Sequence, residues 1–119
     1  MAPEVAKRLL DAYSACGAIT EFVRGFDADL FAGDRLVRSA VERQLEIIGE
    51  ALGRAAREDA RLAEAVPEIP RIIGLRNRLI HGYDSVDDQV VWDIVQTRVP
   101  TLRQSLAAQL VAHGYSAGD

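Results

Sequence analysis

The stretch RNRLIHGYDS, residues 76–85, sets two arginines, an asparagine, a histidine and a tyrosine at one helix end, just ahead of a turn. At about 100° per residue, Ile72, Ile73, Leu75, Leu79 and Ile80 share an apolar arc, and Arg76 falls inside it. Arg78 points to the opposite, polar side, while Asn77 and His81, four apart, neighbour each other at the edge of the arc. An arginine on an apolar face has to snorkel, pair with an acid, or line a wet groove. Two readings stay open for Arg76. One is a structural ion pair with an acid of a neighbouring helix, Glu46 or Glu50. The other is a cationic grip inside a solvent-filled cleft, where the planar guanidinium fork suits a phosphate.

His81 can carry a proton near neutral pH, and a helix C-terminus favours its charged form. A lone histidine there is more often a cap or surface residue; beside Arg76 and Asn77 the functional reading gains weight. His113, the other histidine, lies in the tail and is given no role. Tyr83 follows past Gly82, where its hydroxyl is suited to binding substrate, accepting a modification or closing the turn; on the residues alone, turn packing is preferred. The set permits one concrete chemistry. RNA brings its own nucleophile, the 2'-hydroxyl; a histidine can take that proton or protonate the departing 5'-oxygen, and an arginine can stabilise charge on the phosphoryl oxygens. Such a reaction needs no metal or other cofactor, and no metal-site spacing, P-loop or glycine-rich dinucleotide fingerprint occurs. Separate acid and base roles would need a second copy of His81, which a two-fold dimer joining the motif helices supplies.

The elements that must position these residues read as helix throughout. Val5, Leu9, Tyr13, Cys16 and Val23 recur at helical spacing, with Pro3 in the first turn and Gly25 near the end. Residues 25–34 form a connector whose phenylalanines and leucine should dock onto the bundle. A second helix is predicted over 34–57, with a stripe of Leu36, Val37, Ala40, Val41, Leu45, Ile48, Ala51 and Leu52. Gly49 costs that helix about 1 kcal/mol relative to alanine, which a close helix crossing would offset. A short helical turn and two prolines occupy 58–70, and a third helix spans 70–81, ended by Gly82. Asp84, Ser85 and Asp87 offer caps for a fourth helix over 87–110, which Pro100 should bend or split. Its apolar face is Val90, Val91, Ile94, Val95, Leu102, Leu106 and Leu110. Short connections make an antiparallel up-and-down helix bundle the natural architecture, an all-α fold of about four main helices.

The bulk numbers agree. With 119 residues the chain suits one domain, 1–119, with a frayed tail from about 111, and dimerisation would help it bury apolar surface. A net charge of -4 argues against a broad, non-specific nucleic-acid surface but leaves room for a local basic groove. One cysteine, Cys16, excludes an intrachain disulfide and fits a cytoplasmic setting. Charge interrupts every apolar run, so no membrane span is expected.

RNRLIHGY also fits an arginine, four residues, histidine, any residue, tyrosine pattern. Together with LEIIGEAL in the second helix, PRIIGLRNRLIHGYDSVD and VWDIVQTRVPTLR, it resembles the HepT-like toxins, the former DUF86 branch of the HEPN superfamily. The resemblance covers roughly residues 5–110. It implies a HEPN-like bundle acting as a homodimeric ribonuclease with its cleft between the motif helices. Arg76 and His81 match the catalytic pair, and Asn77 the polar residue beside it. Tyr83 matches the tyrosine that an MntA nucleotidyltransferase antitoxin modifies with AMP from ATP, the only cofactor the resemblance brings in. Arg71 and Arg78, close to Arg76 in sequence, are expected to support RNA binding. Two other readings compete: a catalytically inactive dimeric helical module that binds a nucleotidyltransferase, and a cleft that binds nucleotides for a neighbouring enzyme.

Overall fold

In the computed structural model, which describes residues 1–81 and 87–117, and of His81 the backbone alone, the chain is an all-α antiparallel bundle. Among the described residues the helices are α1 (Pro3–Phe22), α2 (Ala28–Gly33), α3 (Arg35–Glu58), α4 (Leu62–Ala65), α5 (Ile69–His81), α6 (Asp88–Asp93) and α7 (Val99–Ala112). α1 packs on both α3 and α7, and α3 also packs against α5. α3 is thus the central post, and it holds the motif helix. No helix among the described residues is long and apolar enough to cross a membrane.

Local chemistry accounts for the helix ends. Asp34 caps α3 by accepting a hydrogen bond from the Val37 amide at 2.9 Å, and Asp87 caps α6 through the Gln89 amide at 2.7 Å. The expected end at Gly82 and the proposed caps Asp84 and Ser85 lie outside the described residues. α1 closes at Val23, and Gly25 turns the chain with φ +79, a conformation that suits glycine.

The predicted fourth helix is split as expected. Proline at 100 has no N–H for the carbonyl four residues back, and its ring crowds that turn. The chain answers with a π-helical segment over Ile94–Arg98, after which Pro100 sits in the first turn of α7. Thr97 and Thr101 hydroxyls donate to the carbonyls of Asp93 and Thr97 at 2.7 and 3.1 Å.

Three sequence expectations need correction. The connector 25–34 holds a helix, α2, capped by Asp27 onto the Leu30 amide. Its Phe31 is fully buried with its ring 5.3 Å from that of Trp92 and Phe26 packs against the core, but Leu30 stays 55% exposed. A helix of this length has one inward face, and Phe31 occupies it. Leu36, placed in the core stripe of α3, is 80% exposed, because it lies in the first turn, before the helix is covered. The stripe from Val41 through Leu45, Ile48, Ala51 and Leu52 to Ala55 is buried as periodicity demands. Val90 is likewise exposed, and Trp92 takes the inward place on α6.

These burials set a stability contrast. Ile48→Ala should cost about 2–5 kcal/mol by loss of transfer energy and an unfilled cavity, while Leu36→Ala should stay within about 0.5 kcal/mol. Urea titration of both variants measures the difference.

Candidate functional site

The site begins with a glycine. At Gly49 α3 meets α5 so closely that an added Cβ would overlap Arg76 Cβ and lie 2.7 Å from Arg76 Cγ. The arginine stem fills the place where any other residue at 49 would put its side chain. Gly49 is itself buried, so its low helix propensity is the cost of the crossing that seats Arg76.

The guanidinium is held at its outer end. Arg76 Nη2 donates to Glu50 Oε2 at 2.6 Å, and Nη1 donates to Asn77 Oδ1 at 3.1 Å. The other carboxylate oxygen of Glu50 accepts from Arg54, at 3.1 Å from Nη2 and 3.2 Å from Nε. Arg76 Nε is buried and has no hydrogen-bond partner among the described residues. The Arg76 charge, and then that of Arg54, holds the Glu50 carboxyl below the usual carboxylate range.

Arg76 is not sealed by this pair. Its side chain is 27% exposed, that of Glu50 45% exposed. Both line a groove of about 810 Å³ between α1, α3 and α5, which Arg8, Asp11, Arg43, Glu46 and Arg54 also border. Of the two sequence readings of Arg76, the ion pair with an acid of a neighbouring helix is present, and it lies at the lining of the groove. The stem is packed, and the head, paired with Glu50 rather than Glu46, leaves the side chain partly exposed. Glu46 instead pairs with Arg43 at 3.2 Å.

Asn77, next to Arg76 in the chain, is brought to it by the hydrogen bond; its expected neighbour at the arc's edge, the His81 side chain, lies outside the described residues. Arg71 and Arg78 are not brought to Arg76. Stepping about 100° per residue, they lie roughly 140° and 160° around α5 from Arg76. They line a separate pocket of about 360 Å³ against the π-helical segment, together with Arg98. Sequence reasoning missed Arg98; the only signal for it was the break announced by TRVP. It also missed Arg8, Arg43 and Arg54, which come to the groove from other helices. His81 closes α5 by its backbone, but its imidazole, and Tyr83 entirely, lie outside the described residues. Among the described residues no group of three or more His, Cys, Asp or Glu is placed to hold a metal ion. Cys16 is buried and its thiol is pushed up to about 12 by that burial, so it is not a reactive nucleophile.

Two predictions follow from this seat. Gly49→Ala should destabilise the fold by about 1–3 kcal/mol, overriding the gain in helix propensity, because the new methyl collides with the Arg76 stem; chemical denaturation reads the sign. A carboxyl lowered on folding contributes stability above the usual glutamate range and loses it as pH falls through the lowered value. The stability difference between wild type and Glu50→Gln should therefore shrink on going from pH 7 to below about 4, followed by thermal melts across that range.

Comparison with known proteins agrees with the motif. The family profile described as Ribonuclease HepT-like matches residues 12–108. A candidate RNase from Methanocaldococcus jannaschii is 36% identical over 105 residues, covering 87% of this chain and 94% of the relative. A protein named "Probable ribonuclease HepT" from Thermococcus cleftensis is 38% identical over 97 residues, 80% of this chain and 86% of its own. A candidate RNase from Caldanaerobacter subterraneus is 32% identical over 91 residues, 76% and 80% of the two chains. No solved structure gives a significant match. With its bundle, its seated motif arginine and a profile match spanning most of its length, the chain belongs to the HepT-like ribonuclease family.

Proposed function

We propose that the chain is a metal-independent endoribonuclease toxin of a type VII-like toxin–antitoxin pair, working as a homodimer. The observation that supports this most directly is Arg76 itself: its side chain is held, partly exposed, at the lining of a groove of about 810 Å³, in a member of a ribonuclease family. In the proposed reaction the 2'-hydroxyl oxygen of RNA attacks the adjacent phosphorus and the bond to the 5'-oxygen breaks. The products are a cyclic phosphate and a free 5'-hydroxyl. One His81 takes the nucleophile's proton, the His81 of a second copy protonates the departing oxygen, and Arg76 binds the phosphoryl oxygens as their charge grows. Asn77 keeps the guanidinium oriented.

A homodimer is supported by the groove's lining. Ile47 and Ile80 supply apolar contact area beside Arg8, Arg43, Asp11 and Glu46, charges of both signs suited to pairing across a two-fold axis. For Tyr83, adenylylation by an MntA-like nucleotidyltransferase using ATP would bring bulk and a phosphodiester charge two residues from His81. That charge would compete for Arg76 and repel RNA.

The inactive dimeric module has one observation in its favour: Glu50 already occupies Arg76. Expression in cells separates the two readings. The ribonuclease reading expects growth arrest and RNA cleavage, both reduced about 100-fold or more by Arg76→Ala or His81→Ala. Full cleavage by either variant would remove that residue from the mechanism, and absence of cleavage by the wild type would favour the module. Incubation with the cognate transferase and ATP should add AMP to wild type and not to Tyr83→Phe, read by intact mass.

A further inference from the structure

The two pockets flanking α5 differ in charge. The groove holding Arg76 is lined by four arginines and three acids, Asp11, Glu46 and Glu50. The pocket on the opposite side is lined by Arg71, Arg78 and Arg98 and, among the described residues, by no acid. This happens in a chain whose net charge is -4. Arg71 and Arg98 are exposed, and neither has an acidic partner among the described residues. Most other arginines on the surface are paired: Arg24 with Glu21, Arg38 with Asp88, Arg43 with Glu46, Arg61 with Asp59. Arg71 and Arg98, with no acidic partner among the described residues, are positive charges that an anion binding between them would neutralise.

The shape narrows the anion. Arg71, Gly74, Leu75 and Arg78 lie at i, i+3, i+4 and i+7 of one face of α5, which spaces the two arginines by about 10.5 Å along the axis. Between them Gly74 has open space where a Cβ would stand. Ile72, Leu75 and Ile94 provide apolar surface. Arg98 closes the far wall from the last position of the π-helical segment. Apolar surface below with a guanidinium rim above suits a nucleotide, with the base laid on the aliphatic floor or an arginine plane and the phosphates on the rim. A volume of about 360 Å³ is of ligand-pocket size.

We infer that Arg71, Arg98 and the Gly74 face of α5 form a second nucleotide subsite, which holds single-stranded RNA on the side of α5 away from Arg76. The inference rests on the ribonuclease reading for its ligand, and it extends the RNA path beyond the scissile phosphate. It also gives Arg71 and Arg78 a place: they do not help Arg76 grip the reacting phosphate but hold a different part of the strand.

The test measures binding of fluorescent 2'-O-methylated single-stranded RNA, which lacks a free 2'-hydroxyl, to the full chain across a salt series. Cleavage of unmodified RNA is followed in parallel. Arg71→Gln/Arg98→Gln should weaken binding about tenfold and reduce the steepness of log K against log salt by about 1.4, since each single-strand phosphate contact contributes roughly 0.7. Gly74→Glu, which puts a negative charge in the open centre, should weaken binding as well, and Gly74→Gln should do so less. Arg24→Gln/Arg61→Gln makes the same change in net charge elsewhere and should leave the affinity within about twofold. Equal binding by wild type and all variants overturns the subsite, whether or not capture of a protein partner is lost; wild-type cleavage in that same experiment would leave the ribonuclease reading standing. A loss as large in the Arg24/Arg61 control also overturns it, in favour of a diffuse charge effect. Weakened binding in a wild type that binds but does not cleave would keep the subsite and remove the enzyme. A wild type that neither binds nor cleaves removes both.

Discussion

The contact on which the site depends is the crossing of α3 and α5 at Gly49. Glycine is the residue that lets the Arg76 stem lie against the α3 backbone, and the next residue, Glu50, reaches the guanidinium that emerges there. The two consecutive residues do opposite things: one withdraws its side chain to admit the arginine, the other extends its side chain to hold it. Distance and angle between the helices are thereby coupled to where the cationic head points. An arginine free to rotate would carry a larger entropy loss on binding a phosphate; one seated by packing and by two hydrogen bonds is already oriented.

The same pair bears on how the head is used. Glu50 is shared between Arg76 and Arg54 and is well exposed, so solvent screens the pairing. An exposed carboxylate holds an arginine in place without the large penalty that a buried one would impose on its removal. That is compatible with a phosphate replacing Glu50 as the acceptor, and Arg54 remains close by to keep the carboxylate when it is released.

Charge is distributed unevenly around α5, and the break at Pro100 contributes to this. A continuous α-helix through 94–98 would carry its side chains in a different rotation; the π-helical turn sets Arg98 at the end of a widened segment that faces α5. The proline that interrupts α-helical hydrogen bonding thus sits two residues after Arg98, the third arginine of the pocket that Arg71 and Arg78 line. In the groove on the other side, acids from α1 and α3 balance the arginines. Among the described residues, one side of this short helix is therefore lined by charges of both signs and the other by arginines.

Much of this was present in the linear chain. Periodicity, prolines and aspartate caps are local signals, and they located the main helices, the start of α3 at Asp34, the cap at Asp87 and the split at Pro100. The wheel of 72–81 singled out Arg76 as the anomaly and named Glu50 among its possible partners, because an arginine in an apolar arc needs a counter-charge or water. Helical spacing says which side chains share a face but not which face is covered, and so Leu30, Leu36 and Val90 were assigned to a core that does not reach them. Nearness along the chain is not nearness around a helix: at about 100° per residue Arg71 and Arg78 stand on the far side of α5 from Arg76, and only the fold brings Arg98, twenty residues downstream of Arg78, to the same pocket. Whether Arg76 would be locked away or open was decided only by the depth of the α3–α5 crossing, a property of two helices that neither one encodes alone.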